Sequence, residues 1–174
     1  MFIRIKKIKG KQYAYLVTNT WKKRKQASRQ KTLKYLGRVI KVEKKENHQT
    51  DPGIELFLNK PPADIIRSLV EKELTVHGFI PNNHRWTKEG IKIDLRKKEV
   101  KDQNNKDICL EMNHNFFCEY TLKKLLIFSP KEGLTQLQIG KELAVALEAT
   151  GIPINKELFV LLFQKIVAQI EKTK

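Results

Sequence analysis

Lys22, Lys23, Arg24 and Lys25 are four consecutive cations, with Arg29 and Lys31 close behind. Cations at this density neutralise several phosphates at once, through backbone contacts that give affinity and position but little base preference. Acids are almost absent around them, whereas a merely solvated surface intersperses both signs. Tyr13, Tyr15, Trp21 and Tyr35 lie among the cations. Aromatic rings in such company stack on unpaired bases or wedge into a duplex, and equally well line the inner face of a small sheet. Arg4, Lys6, Lys9, Lys11 and Lys34 extend the basic set. The expected nucleic-acid-binding residues are these five with Tyr13, Tyr15, Trp21, Lys22, Lys23, Arg24, Lys25, Arg29 and Lys31.

Two other groups have the residue types for chemistry. Cys109, His114 and Cys118 are spaced C-x4-H-x3-C, and His84 or His77 would be needed to complete a four-ligand zinc site. Neither cysteine belongs to a Cys-x-x-Cys pair, and both sit in apolar runs, ICLEM and FFCEY, where buried unreactive thiols are the usual finding. Asp94, Asp107 and Glu111 resemble the paired acids that hold magnesium in nucleases, but acids alternating with apolar residues on a hairpin more often form its solvated face. The chain has no Gly-x-Ser-x-Gly elbow, no phosphate-binding loop and no dinucleotide-binding glycine pattern. No catalytic residue, metal or cofactor is expected.

The elements that carry the cations are set by where charge falls. Residues 1 to 45 hold 16 of the 35 Lys and Arg and a single acid, Glu43, for a net charge of +15, while the remaining residues carry only +1. Such self-repulsion disfavours a compact state, and a polyanion that relieves it releases counterions. The chain of 174 residues suits one generous domain or a small module joined to a larger one. No apolar run approaches the roughly 20 residues of a membrane span. MFIRIKKIKGKQ lacks a signal peptide's apolar stretch and cleavage site, and two cysteines are too few for a disulfide framework, so a cytoplasmic protein with reduced thiols is expected.

Period-two alternation predicts strands at the start. Ile3 and Ile5 alternate with Arg4 and Lys6; Lys9-Gly10-Lys11 forms a hairpin turn; Tyr13, Tyr15 and Val17 share one face, Ala14 and Leu16 the other. A third strand runs from Thr32 to Val39, giving a meander. The polar stretch 43–60 reads as a linker, with Ile54 to Leu58 as a short docking strand. Pro61-Pro62 opens a helix whose buried face is Ile65, Ile66, Leu69, Val70 and Leu74, stopped near Gly78. Ile91 to Leu95 and Ile108 to Met112 both alternate, and the economical reading pairs them as a hairpin. Tyr120 to Phe128 is a short helix; Thr135 and Gln138 form a capping box for the next, which Gly151 closes; Asn155 caps the last. The apolar face of that last helix is wide enough for the core or for a homodimer contact. A helix-turn-helix around Gly151 is disfavoured, because the second helix offers a groove only Lys156 and Lys165.

Tyr13-Ala-Tyr-Leu-Val17, the basic loop, and Arg29-Gln-Lys-Thr-Leu-Lys-Tyr-Leu-Gly37 resemble the N-terminal segment of insertion-sequence transposases of the DDE type. The resemblance covers roughly the first 40 residues and implies a DNA-facing accessory module, not transposition, because no recognisable carboxylate triad follows. The expected architecture is α+β: a basic three-stranded antiparallel module over 1–42, a polar linker over 43–60, and a mostly helical domain over 61–174 containing a hairpin at about 91–112. Nucleic acid is the expected partner, DNA ahead of RNA. The alternatives are an RNA-binding ribosome-associated or assembly factor, a metal-dependent nuclease, and a basic arm for an acidic protein or an anionic surface.

Overall fold

A computed structural model describes residues 1–22, 27–45 and 53–171, with the side chains of residues 22 and 27 outside the description. The first three strands are β1 (Phe2–Ile8), β2 (Lys11–Lys22) and β3 (Ala27–Lys41). Lys9 and Gly10 join β1 to β2 with φ of +48° and +77°. Both positive values make the two-residue turn whose twist matches a hairpin, and glycine at its second position carries no steric penalty. A 3-10 turn at Ile54–Phe57 precedes α1 (Pro62–Val76). The chain continues through β4 (Ile80–Asn82), β5 (Arg85–Lys88), β6 (Ile91–Asp94), β7 (Glu99–Lys101), β8 (Ile108–Met112) and β9 (Asn115–Phe117). Three helices close it: α2 (Glu119–Leu126), α3 (Gln136–Thr150) and α4 (Lys156–Glu171).

The nine strands among the described residues form two sheets, which corrects the expected three-stranded module followed by a mostly helical domain. The meander β1-β2-β3 exists, but as part of a five-stranded sheet of order β1-β2-β3-β8-β9. β3 pairs with β8 in parallel, Arg38 opposite Ile108 and Lys41 opposite Glu111. The physical reason lies in both strands. A lone meander leaves one edge of β3 with unpaired N–H and C=O groups. β8 buries Ile108, Cys109, Leu110 and Met112, the signature of a strand covered on both faces and inside a sheet.

The hairpin expected over 91–112 does not form. β6 instead lies between β5 and β7 in a four-stranded antiparallel meander, β4-β5-β6-β7. Its outer strands are three residues long, too short for alternation to reveal them. The segment Ile54–Phe57 is likewise a 3-10 turn and not a docking strand, with Phe57 buried against the core.

Two apolar clusters result among the described residues. The larger gathers the inner faces of α1 to α4 and of the four-stranded sheet around Ile108, Leu110 and Met112 of β8. The smaller lies under the basic strands and comprises Ala14, Leu16, Leu36, Val39, Cys109 and Cys118. In α4, Leu158, Leu162 and Ile166 are buried, and Phe159, Leu161, Phe163 and Ile170 pack partly against the core.

Helix boundaries follow from caps. Gln138 N donates to Thr135 Oγ1 at 3.3 Å while Thr135 N donates to Gln138 Oε1 at 2.8 Å, and Leu158 N donates to Asn155 Oδ1 at 2.8 Å. Thr135→Ala is expected to lower stability by about 1 kcal/mol, and Thr135→Ser to retain it, because serine still presents the oxygen that an orphan N–H requires. Urea midpoints for the two variants measure this directly; equal losses would show that the methyl group matters and not the cap.

Candidate nucleic-acid interface

Antiparallel partners point to the same side of a sheet, so register assigns each N-terminal side chain to a face. Across β1, β2 and β3 one row reads Lys6, Tyr13, Arg38 and the next reads Arg4, Tyr15, Tyr35. This face is open. Tyr35 is 48% exposed, Tyr13 and Tyr15 are half-buried, and none of the three belongs to either apolar cluster. The rings lean on one another: centroids are 5.4 Å apart for Tyr15 and Tyr35 and 6.3 Å for Tyr13 and Tyr35, all tilted. Lys6 Nζ sits 4.8 Å from the Tyr15 ring centre, a cation–π contact that holds positive charge at the aromatic surface. Arg4 donates from its guanidinium to Gln30 Oε1. Partial burial, then the Tyr15 and Tyr13 phenols, push the Tyr35 pKa above its ordinary value. A tyrosine phenol is neutral near pH 7 even at its ordinary pKa of about 10, so Tyr35 offers no anion to repel phosphate.

The other expected site residues divide between the faces. Lys11, opposite Ile8, and Trp21, opposite Ser28, fall on the tyrosine side of β2 by alternation, and Trp21 is 64% exposed. Lys9 lies in the β1–β2 turn. Arg29, Lys31 and Lys34 are opposite Thr20, Thr18 and Leu16, which places them on the reverse side. Lys34 is also engaged there, donating to Glu119 Oε2 at 2.6 Å. Lys23, Arg24 and Lys25 lie outside the described residues, as does the Lys22 side chain. Among the described residues, no ion pair engages Arg4, Lys6, Lys9, Lys11, Arg29, Lys31 or Arg38, whereas Lys34, Lys41 and Lys44 each have an acid.

Arg38 has no place in the sequence-based expectation, and Tyr35, named there among the rings able to stack, is absent from the expected binding set. They are three residues apart, which on a regular strand means opposite sides. β3 carries register shifts against β2, and the extra residue Leu36 restores Tyr35 and Arg38 to one face. Leu36 itself turns into the smaller core.

The alternative chemistries find less support in the geometry. Among the described residues, no three His, Cys, Asp or Glu side chains gather as metal ligands. Asp94 Oδ1 accepts from the Arg96 and Lys97 N–H groups at 3.0 and 2.9 Å, and Arg85 Nε lies 3.5 Å from Oδ2. Burial alone would raise the Asp94 pKa, but the Lys97 and Arg96 amides and the Arg85 guanidinium together hold it below the ordinary range. It serves as a turn cap. Asp107 is exposed, its backbone paired with that of Lys101 in an isolated β-bridge, and Glu111 sits on β8 opposite Lys41. Cys109 and Cys118 are fully buried in the smaller core, while His114 is exposed in the β8–β9 turn. A hydrogen bond to Cys118, then burial, push the Cys109 thiol far above its ordinary pKa, so it is not a reactive nucleophile. No helix among the described residues is long and apolar enough to cross a membrane.

Compared with models of protein families, with curated proteins and with solved structures, this chain matches none.

Proposed function

We propose that this chain binds nucleic acid through the sheet face built by β1, β2 and β3, with Arg4, Lys6, Lys11 and Arg38 contacting phosphates and without catalysis. The observation that carries the reading is the placement of charge: residues 1 to 45 carry +15, and the described cations of β1, β2 and β3 mostly lack acid partners. An ion pair spends a cation's field locally, whereas an unpaired cation exchanges water and counterions for phosphate. The likeness to transposase N-terminal segments favours DNA over RNA.

The test is binding to labelled duplex DNA, single-stranded DNA and structured RNA across a salt series. Changing Arg4, Lys6 and Arg38 together to alanine is expected to weaken binding to every ligand. It should also flatten the salt slope by roughly 0.9 for each phosphate no longer neutralised on duplex and about 0.7 on single strands. Lys34→Ala is expected to change little, because Lys34 already faces Glu119 across the reverse side. Unchanged slopes in the triple variant would remove the face as the binding surface. Preference for structured RNA over both DNA forms would move the reading to an RNA-associated or assembly factor.

A further inference from the structure

We propose that the tyrosine face is a stacking platform for unpaired nucleobases, so that the ligand of the basic sheet is a single-stranded nucleic acid and not a duplex. This rests on the phosphate-binding reading above and adds to it a ligand class and a recognition mode.

Three observations support it. Tyr13, Tyr15 and Tyr35 are gathered from two strands onto one surface, in ring contact with each other and with neither core. Aromatic residues needed only for stability would be expected beneath the sheet, where Ala14, Leu16 and Leu36 fill the space instead. Second, cations flank the rings within their own rows: Lys6 and Arg38 on either side of Tyr13, and Arg4 beside Tyr15. That places phosphate-seeking groups next to base-seeking ones, the combination a single strand offers a sheet. Third, the occupant must be a polyanion, because this surface belongs to the segment of net charge +15. Among polyanions, a duplex hides its base faces in its own stack and would use only the cations. An unpaired strand uses both.

The experiment measures binding of the full chain to oligo(dT), oligo(U), a duplex of the same length and heparin, for wild type, Tyr15→Leu, Tyr35→Leu and Tyr35→Phe. Leucine keeps apolar bulk in the strand but has no π-face; phenylalanine keeps the π-face. Each leucine change is expected to weaken oligo(dT) and oligo(U) binding by roughly tenfold or more, while leaving duplex and heparin binding within about twofold. Tyr35→Phe is expected to bind single strands like wild type. Far-UV circular dichroism and the thermal midpoint check that the variants are folded. Should the leucine variants not fold, photocrosslinking of wild type to oligo(dT) carrying 5-iodouracil gives the answer without them: adducts on Tyr13, Tyr15 or Tyr35 support the platform, and adducts confined to other residues overturn it.

Equal loss across all four ligands, or no loss in either leucine variant, overturns stacking. If the alanine triple variant of Arg4, Lys6 and Arg38 still loses affinity in that case, phosphate binding stands without it. No binding of wild type to any nucleic acid overturns both.

Discussion

Alanine at position 37 is expected to lower stability by about 3 kcal/mol or more, a larger loss than most single substitutions produce. Gly37 has φ of +117°, a conformation that side-chain-bearing residues rarely adopt and that costs them of order 1–3 kcal/mol. A Cβ built there would also meet backbone: Asp107 O at 2.3 Å and Ile108 Cα at 2.6 Å. Backbone cannot swing aside as a lysine tip can. The atoms that must move are those where the parallel pairing of β3 with β8 begins, one residue before Arg38 opposes Ile108. Relief of the clash therefore pries the basic strands from the strand that anchors them to the larger core. Urea unfolding monitored by circular dichroism measures the effect. A Gly37→Ala protein within about 0.5 kcal/mol of wild type would mean that the two strands part more easily than this packing implies.

That pairing also marks how much of the fold is legible in the sequence. Alternation along Tyr13, Ala14, Tyr15 and Leu16 separates the open from the covered face of β2, but the pattern fails at Val17, which shares the tyrosine side by alternation and is nonetheless buried. Thr135, Asn155 and Pro62 announce helix starts, since capping chemistry is local and needs no distant partner. What stays hidden is non-local or irregular. ICLEM identifies itself as a strand, but nothing within it says that its neighbours are β3 and β9 and not IKID. The four-stranded sheet escapes because strands of three or four residues complete barely one alternation.

The candidate site is legible to the same depth. Charge placement points to the first three strands, yet charge alone mixes residues of both faces. It groups Arg29, Lys31 and Lys34 with Arg4 and Lys6, and only register separates them. Tyr35 and Arg38 are obscured by a bulge, a device that re-aims side chains at sheet surfaces used for function. The irregularity in β3 thus does two things: it sends Leu36 into the core and brings Tyr35 into line with Tyr15.

The second large effect is expected at Glu73, whose carboxylate lies inside the protein at 3% exposure near the end of α1. Asn113 Nδ2 donates to its Oε1 at 2.6 Å and lies 2.7 Å from Gly151 O, while Lys44 Nζ and His77 Nδ1 lie 3.5 and 3.3 Å from the same Oε1. One carboxylate therefore ties α1 to the segment after β3, to the β8–β9 turn and, through Asn113, to the α3–α4 turn. Glu73→Ala removes the acceptor and leaves a void, and is expected to cost about 2–4 kcal/mol, with Glu73→Gln costing less because it keeps the shape and one acceptor. Burial pushes the His77 pKa below its ordinary value; the Glu73 backbone carbonyl and carboxylate oppose this, and the Lys44 and Lys88 charges reinforce it. The unfolded chain takes up that proton near pH 6.5, the folded chain only at lower pH. The contribution is therefore fully present above about pH 6.5 and is lost as pH falls through the folded pKa. Lys44→Ala removes one of the two cations that lower the His77 pKa, so NMR titration of the His77 ring should move upward and the acid-side loss of stability should shrink. A ring titration unchanged by Lys44→Ala, with Glu73→Ala as stable as wild type, would show that neither charge acts on the buried histidine and that apolar packing alone holds these four segments together.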